Sequence, residues 1–494
     1  MQTSQVIVSS HSPKNITPTR GALEPTTVLR SRRYTKKARV SPGHTNIRAG
    51  FCSSGREPEP QYLPPGWSAY THPEGQRYFA RESKPRIITE ANLHSLATQD
   101  LVAGYIEAFE QQCIEQKMLV PDDAELFLEP DVASTSCGYY LVDCSSRVVF
   151  WLEEVASDML DLPATVTDSH LRIALEEHYW THVEYFAMHR CREVDLSLAQ
   201  LKTTLLHARV DQMTSATSTF PYNAKECSEF LEVVKAAQEC VLDGHIVATI
   251  ARLWNVILHH RFTIHYGEEH ARLSRDQSIL DCPATTPSPF FCILSRLFFR
   301  IPEANVHQFD QLYVDNLVYA EPWREAMKAH RGDWLLHASW ALALLIVDVL
   351  SLIVPHASRH LALASTLFCN MSLLSAVILS MRHHWATTSD ASDAATYLSE
   401  ARRESSGFCW TAFAFSLPKA LFLWALVLSS MQGFVWLAAV ADLYALIAVP
   451  FLLVAIALCS GALPGTWELP GAHFIARLRA ACRRRRAKAD ECTV

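Results

Sequence analysis

Glycine is scarce in this chain, 16 of 494 residues. None sits in a phosphate-cradling loop, a dinucleotide fingerprint or a nucleophile elbow, motifs that need glycine for close backbone approach. That absence argues against a nucleotide-dependent enzyme, and no catalytic motif or cofactor signature replaces it. The 14 cysteines include no CxxC pair and follow no regular spacing, so reduced thiols in a cytosolic setting are expected rather than a disulfide framework or zinc ribbon. Missing from the N-terminus is a charged cap followed by an apolar run, so no cleaved secretory signal is expected. Acids are nearly missing there as well. Residues 1–56 hold ten Lys/Arg against Glu24 alone, and residues 477–494 hold seven against two acids, while the whole chain carries −7. Two basic ends thus flank an acidic body, which suits anionic lipid and disfavours nucleic acid, whose phosphates such a body repels.

Long apolar runs are present. A helix needs about 20 mostly apolar residues to cross the hydrocarbon layer, and four stretches qualify: 334–354, 361–381, 408–431 and 434–459. Gln432 and Gly433 alone separate the last two, which predicts a tight antiparallel hairpin. Basic residues gather in the C-terminal flank and, as Arg382, Arg402 and Arg403, in the loop between the second and third runs. By the positive-inside rule both termini are predicted cytosolic in a multi-pass integral membrane protein. Residues 472–485 read as an amphipathic helix on the inner leaflet, with Arg483, Arg484, Arg485 and Arg486 reaching anionic headgroups. Residues 460–494 form a basic cytosolic tail. Residues 1–58 read as a disordered basic tail, a mitochondrial presequence being opposed by Pro13, Pro18, Pro25 and Pro42.

Asp348, Lys419 and Asp442 fall inside the runs, where an ionisable residue by default marks function. Counted from a turn at 432–433, Lys419 lies about 20 Å away and Asp442 about 14 Å. The two are therefore expected to pair and lock the hairpin, with a transport path through them as the alternative.

The most specific motif lies at 63–92. Leu63-Pro64-Pro65-Gly66-Trp67, a His72-Pro73-Glu74-Gly75 turn and Tyr78-Phe79 resemble the WW domain, and Trp67, Gly75, Tyr78 and Phe79 keep that family's spacing. The resemblance implies a small all-β meander at 60–92, buckled by a proline on Trp67 and Phe79, with Tyr78 on the face that binds proline-rich peptide. Where the family has its second Trp, its ligand-reading His and its closing Pro, this chain has Thr89, Glu82 and Asn92, so one wall of the peptide groove is missing. A second stretch, Tyr139 to Trp151, is similar to the later strands of the same family and predicts a β-hairpin packed on a helical domain, with Trp151 completing a binding face as a sharper option. Together with the apolar runs, these features resemble fungal multi-pass WW-domain membrane proteins.

Residues 95–330 are dominated by helical periodicity and are predicted to form a mainly α-helical cytosolic domain. Residues 290–301 are apolar but too short to span. His178 and His182 share a helix face at i and i+4, and His259, His260, His265, Glu268, Glu269 and His270 crowd a later helix end. Neither cluster has the HExxH pattern of a helical zinc site, and they stand as weak metal candidates. The expected fold is therefore mixed: a WW-like meander, a helical middle and a four-helix membrane bundle. The leading functional expectation is a membrane-anchored adaptor that recruits a proline-rich or other cytosolic protein. A small transporter or channel using Asp348, Lys419 and Asp442, and a metal-dependent membrane enzyme, are the rivals.

Overall fold

The structure, a computed structural model, describes residues 22–31, 33–34, 39–51, 53, 62–131, 136–189, 195–280 and 287–440. It is mostly helical, with one mixed sheet, and divides into two units at Leu273 and Ser274.

Strict alternation organises the first unit. Its strands are β1 (Ala22–Pro25), β2 (Trp67–Thr71), β3 (Arg77–Arg81), β4 (Arg86–Thr89), β5 (Glu125–Asp131), β6 (Ser136–Asp143) and β7 (Val148–Phe150). They lie in the order β1-β6-β5-β4-β3-β2, with β7 also on β6. Successive side chains of a strand point to opposite faces. Tyr78, Ala80, Ile88, Phe127, Tyr140 and Val142 therefore pack on one side, and Phe79, Ile87, Leu126, Leu128, Tyr139 and Leu141 on the other. Helix α1 (Leu96–Gln116) crosses between the parallel strands β4 and β5 and covers the second face through Val102, Tyr105, Ile106 and Phe109. The first face is covered by α2 (Asp168–Tyr185), α3 (Asp195–Thr214), α4 (Ala224–Glu239) and α5 (Gly244–Thr263). Each α2, α4 and α5 start has a side-chain cap, from Thr167, Asn223 and Asp243, and Asn223 with Glu226 completes a capping box. Such caps stabilise a helix by about 1 kcal/mol each.

This sheet corrects three expectations. The stretch from Trp67 to Thr89 holds three antiparallel strands, β2, β3 and β4. It is not a free-standing module: β4 continues into β5, and the larger sheet supplies the core that thirty residues cannot build alone. The hairpin near 139–151 forms as β6 and β7 and is part of the same sheet, residues 95–273 are otherwise mainly helical, and residues 274–330 belong with the second unit. The tail 1–58 is not wholly disordered. β1 pairs parallel with residues 136–139 of β6, Val28 is completely buried, and Arg33 donates to the Tyr185 carbonyl at 2.9 Å with its guanidinium over the Tyr185 ring. Trp151 donates its indole N–H to the Thr26 carbonyl at 2.8 Å; it fastens this N-terminal strand rather than completing a peptide face.

The second unit comprises α6 (Pro289–Leu297), α7 (Ile301–Leu312), α8 (Ala320–Ser351), α9 (Arg359–Arg382), α10 (Ala391–Ala401) and α11 (Cys409–Val440). Among the described residues α8, α9 and α11 are long and apolar enough to cross a membrane. Their packing puts small residues inside and large apolar ones outside. Small residues line the inside, Ala362, Ser365, Cys369, Ser372 and Ala376 on α9 against Ala341 on α8 and Ala412, Ser416, Ala420 and Ala425 on α11, while Leu363, Leu367, Met371, Leu374 and Ile378 point outward. Ser365 and Ser372 donate to the carbonyls of Ala425 and Pro418, at 2.9 and 2.6 Å.

The predicted turn at 432–433 is absent, because α11 runs through Gln432 and Gly433 to Val440. Gly costs a helix about 1 kcal/mol relative to Ala. An unpaired backbone in hydrocarbon costs more, so the helix persists. Gln432 is 4% exposed and donates to Ser351 Oγ on α8, which makes it an interhelical contact rather than a turn residue. The fourth run, 434–459, overlaps α11 only as far as Val440. Its remainder, Asp442 and the basic tail 460–494 with Arg483, Arg484, Arg485 and Arg486 lie outside the described residues.

Candidate functional site

A buried carboxylate stands at the centre of the first unit. Glu125 opens β5, and alternation with Phe127 places it on the face covered by α2. It is 0% exposed. His182, on α2, lies with Nε2 3.1 Å from Glu125 Oε2, and His189, in the short turn Ala187–His189 that follows α2, lies with Nε2 3.3 Å from Oε1. Each imidazole meets a phenol on its far side. Tyr140 Oη is 2.9 Å from His182 Nδ1, and Tyr78 Oη is 3.0 Å from His189 Nδ1. Arg86 Nη1 adds a positive charge 3.8 Å from Glu125 Oε1.

One proton assignment satisfies every contact. Tyr78 Oη accepts from the Met188 N–H at 2.9 Å, so its own hydrogen goes to His189 Nδ1. Both imidazoles then carry their proton on Nε2 and donate it to an ionised Glu125, and Tyr140 donates to His182 Nδ1. Burial raises both phenols above the ordinary tyrosine range, which keeps them protonated donors. The array Tyr140–His182–Glu125–His189–Tyr78 thereby links β3, β5, β6, α2 and the turn after it through continuous hydrogen bonds. Its donors converge on Glu125 from both sides, and a substrate has no direct approach, since Tyr78, Tyr140, His182 and Glu125 are all 0% exposed.

The array absorbs two residues singled out in the sequence for other reasons. Tyr78, at the WW peptide-binding position, is hydrogen-bonded inside the core; Thr89, at the second Trp position, is also 0% exposed and accepts from the Ala91 N–H. Phe79 is buried against His94, half-buried Trp67 packs with Leu63 on the α1 side, and Pro64 is half-buried with its carbonyl accepting from the Trp67 N–H. Glu82 and Asn92 are exposed. His178 and His182 do share a face of α2 but diverge in partner: His182 goes to Glu125, while His178 is buried with Nδ1 unpaired. His259 pairs with Glu177 and His260 with Thr219. Among the described residues no group of three or more His, Cys, Asp or Glu is placed to hold a metal ion. Glu125 and His189 escaped sequence reasoning. The signal for Glu125 was an acid followed directly by Leu126-Phe127-Leu128 at an inward strand position; His189 carried none, since a turn residue meets its partner only through the fold.

The histidines make the first unit acid-sensitive. Burial lowers the pKa of His260 from 6.5 to about 4, and pushes His72, His178 and His265 in the same direction. Between the folded and unfolded values the unfolded chain binds more protons, so stability falls as pH drops from about 6.5 toward about 4. His259 has the opposite sign: its hydrogen bond to Glu177 raises it, a contribution present at low pH and lost as pH rises through its folded value. Thermal melts over this range are expected to show a descending acid limb that His260→Gln flattens. Parallel limbs for the two proteins would exclude His260 as a cause.

In the second unit the charged residues separate. Lys419 Nζ lies 3.6 Å from Asp333 Oδ2, while Asp442, its expected partner, lies outside the described residues. Asp348 lies about 22 Å along α8 from Asp333, 1% exposed. Family models, curated proteins and solved structures contain no match to this chain.

Proposed function

We propose that the chain is a membrane-anchored interaction protein, in which the second unit holds the first at a bilayer for recruitment of a partner protein. The observation that supports this reading most is the division of labour along the chain. Every described helix long and apolar enough to span lies after Ser274, while residues before Leu273 have complete cores of their own on both faces of a sheet. Arg382, Arg402 and Arg403 between α9 and α11 favour a cytosolic loop there. A cytosolic N-terminal unit then follows, since two crossings, α8 and α9, separate that loop from it. The partner surface in this proposal is not the aromatic groove of the WW family, because Tyr78 and Thr89 are buried.

Proximity labelling from the N-terminus of the full chain, compared with a chain lacking residues 22–273, tests the proposal. Loss of a set of cytosolic proteins, with the surrounding membrane proteins retained, is the expected result. Identical sets from the two chains would sink it.

A further inference from the structure

Helix α6 presents an apolar edge that its own packing leaves exposed. Ser288 caps the helix by accepting from the Phe291 N–H at 3.2 Å, and Phe291 and Ser295 turn inward and are buried. Phe290, Ile293 and Leu297 are each more than half exposed. At about 100° per residue the three fall within about 60° of arc, one stripe along the helix.

The seat of the helix decides what that stripe faces. The Leu297 carbonyl, one of the last-turn acceptors that a helix leaves open, receives the Trp424 indole N–H at 2.9 Å. The Phe299 ring lies 5.5 Å from that of Trp424, and the Phe298 ring 4.7 Å from that of Phe413. The C-terminal end of α6 is therefore fastened to one face of α11. Phe413, Trp424, Met431 and Val435 follow one another along that face, within about 40° of arc, and Met431 and Val435 are exposed. The edge of α6 is thus continuous with the outward apolar side of a helix long enough to span.

Depth follows from charge. Lys419 pairs with Asp333 and both are partly exposed, and beyond Lys419 no charged residue occurs as far as Val440. That stretch is about 32 Å long, which matches a hydrocarbon layer of about 30 Å. Lys419 therefore marks one boundary of the layer. Trp424 stands about 7.5 Å inside it, with its side chain leaning back toward the boundary, where tryptophan gathers in membranes. At about 14 Å long, α6 is too short to cross and lies along that boundary. Residues 287–301 hold Arg296 and Arg300 and no acid. Both arginines are exposed, Arg296 about 60° around the helix from Ile293 and Arg300 3.8 Å from Glu303.

We infer that α6 is a lipid-binding helix in the plane of the bilayer, with Phe290, Ile293 and Leu297 among acyl chains and Arg296 and Arg300 on anionic headgroups. Lipid removes from water the apolar area that folding leaves exposed, and long arginine stems carry their charge back to the headgroups. The inference concerns the second unit alone. It rests on α8, α9 and α11 crossing a bilayer, not on recruitment of a partner.

The test uses the full chain in vesicles of phosphatidylcholine with or without phosphatidylglycerol, each lipid in turn carrying a photoreactive group on its acyl chain. Adducts are read residue by residue by mass spectrometry. They are expected on Phe290, Ile293 or Leu297 alongside Leu367 and Leu374, which point outward on α9. Arg296→Gln combined with Arg300→Gln is expected to lower the α6 yield from phosphatidylglycerol at least about 5-fold and to leave the α9 yield unchanged. An α6 yield unaltered in that variant would strike the anionic headgroup from the inference. Adducts on α9 with none on α6 in the unaltered chain would overturn it. So would α6 adducts that appear only when the chain is diluted in the bilayer, because a second copy would then be what covers the edge. Adducts on neither helix would remove the spanning reading and this inference with it.

Discussion

Glu125→Leu is expected to destabilise the first unit by about 3–5 kcal/mol, the cost of removing one partner from a buried charged network. The loss is large because two imidazole donors, His182 and His189, converge on one carboxylate with the Arg86 charge 3.8 Å away, and leucine leaves each imidazole N–H buried without an acceptor. Against a typical domain stability of about 5–15 kcal/mol, much of the folded margin disappears. Glu125→Gln is expected to cost less. Its amide oxygen still serves one imidazole, and its NH2 can face the other if that ring moves its proton to Nδ1. His182 is the ring able to do so, because among the described residues Tyr140 Oη has His182 as its one hydrogen-bond partner and can rotate to accept. Tyr78 is held by the Met188 N–H and is less free. Chemical denaturation of the full chain, followed through a probe in the first unit, measures both. A leucine variant within about 1 kcal/mol of the parent would show that the array is not a principal support.

Gly244→Ala reaches the same array from outside it. A Cβ at this first residue of α5 would lie 2.4 Å from Met188 Sδ and 2.7 Å from Met188 Cα. The sulfur can swing aside, but the backbone cannot without moving the Ala187–His189 turn, which carries His189 toward Glu125. Overpacking of this kind typically costs about 1–3 kcal/mol, and the displaced imidazole adds to it. The two effects are therefore coupled: in the Glu125→Leu background, Gly244→Ala is expected to cost less than it does alone. Strict additivity in that double-mutant cycle would dissociate the close approach at Gly244 from the position of His189.

The sequence disclosed those features that depend on near neighbours. Trp67, Tyr78 and Phe79 give β2 and β3 by local alternation, and the apolar runs give α8, α9 and most of α11 by length. Contacts between distant segments were not legible. β1 has only four residues, one of them Pro25, and becomes a strand because β6 offers it an edge. β4 and β5 are joined in parallel through α1, so nothing near Thr89 signals that the meander continues. Gly433 was misleading because glycine marks turns in water, whereas inside a bilayer the backbone has no alternative to its own helix. Asp348 was half legible: the acid stood out in an apolar run, but its contact with Ser365 arises only when α8 and α9 lie side by side. The small residues at 362, 365, 369, 372 and 376 carried a seven-residue repeat that a search for GxxxG passes over.

The fastening of β1 also sets an order of events during synthesis. Residues 22–25 pair with residues 136–139, and the Thr26 carbonyl is held by Trp151. On a ribosome extending the chain at about 5–20 residues per second, the first strand waits about 6–25 s for its partner to appear. Throughout that interval β6 is unmade, and residues 22–25 have no strand to pair with. α8 emerges later still, so the sheet has all of its strands available before the first apolar helix can commit the chain to a membrane.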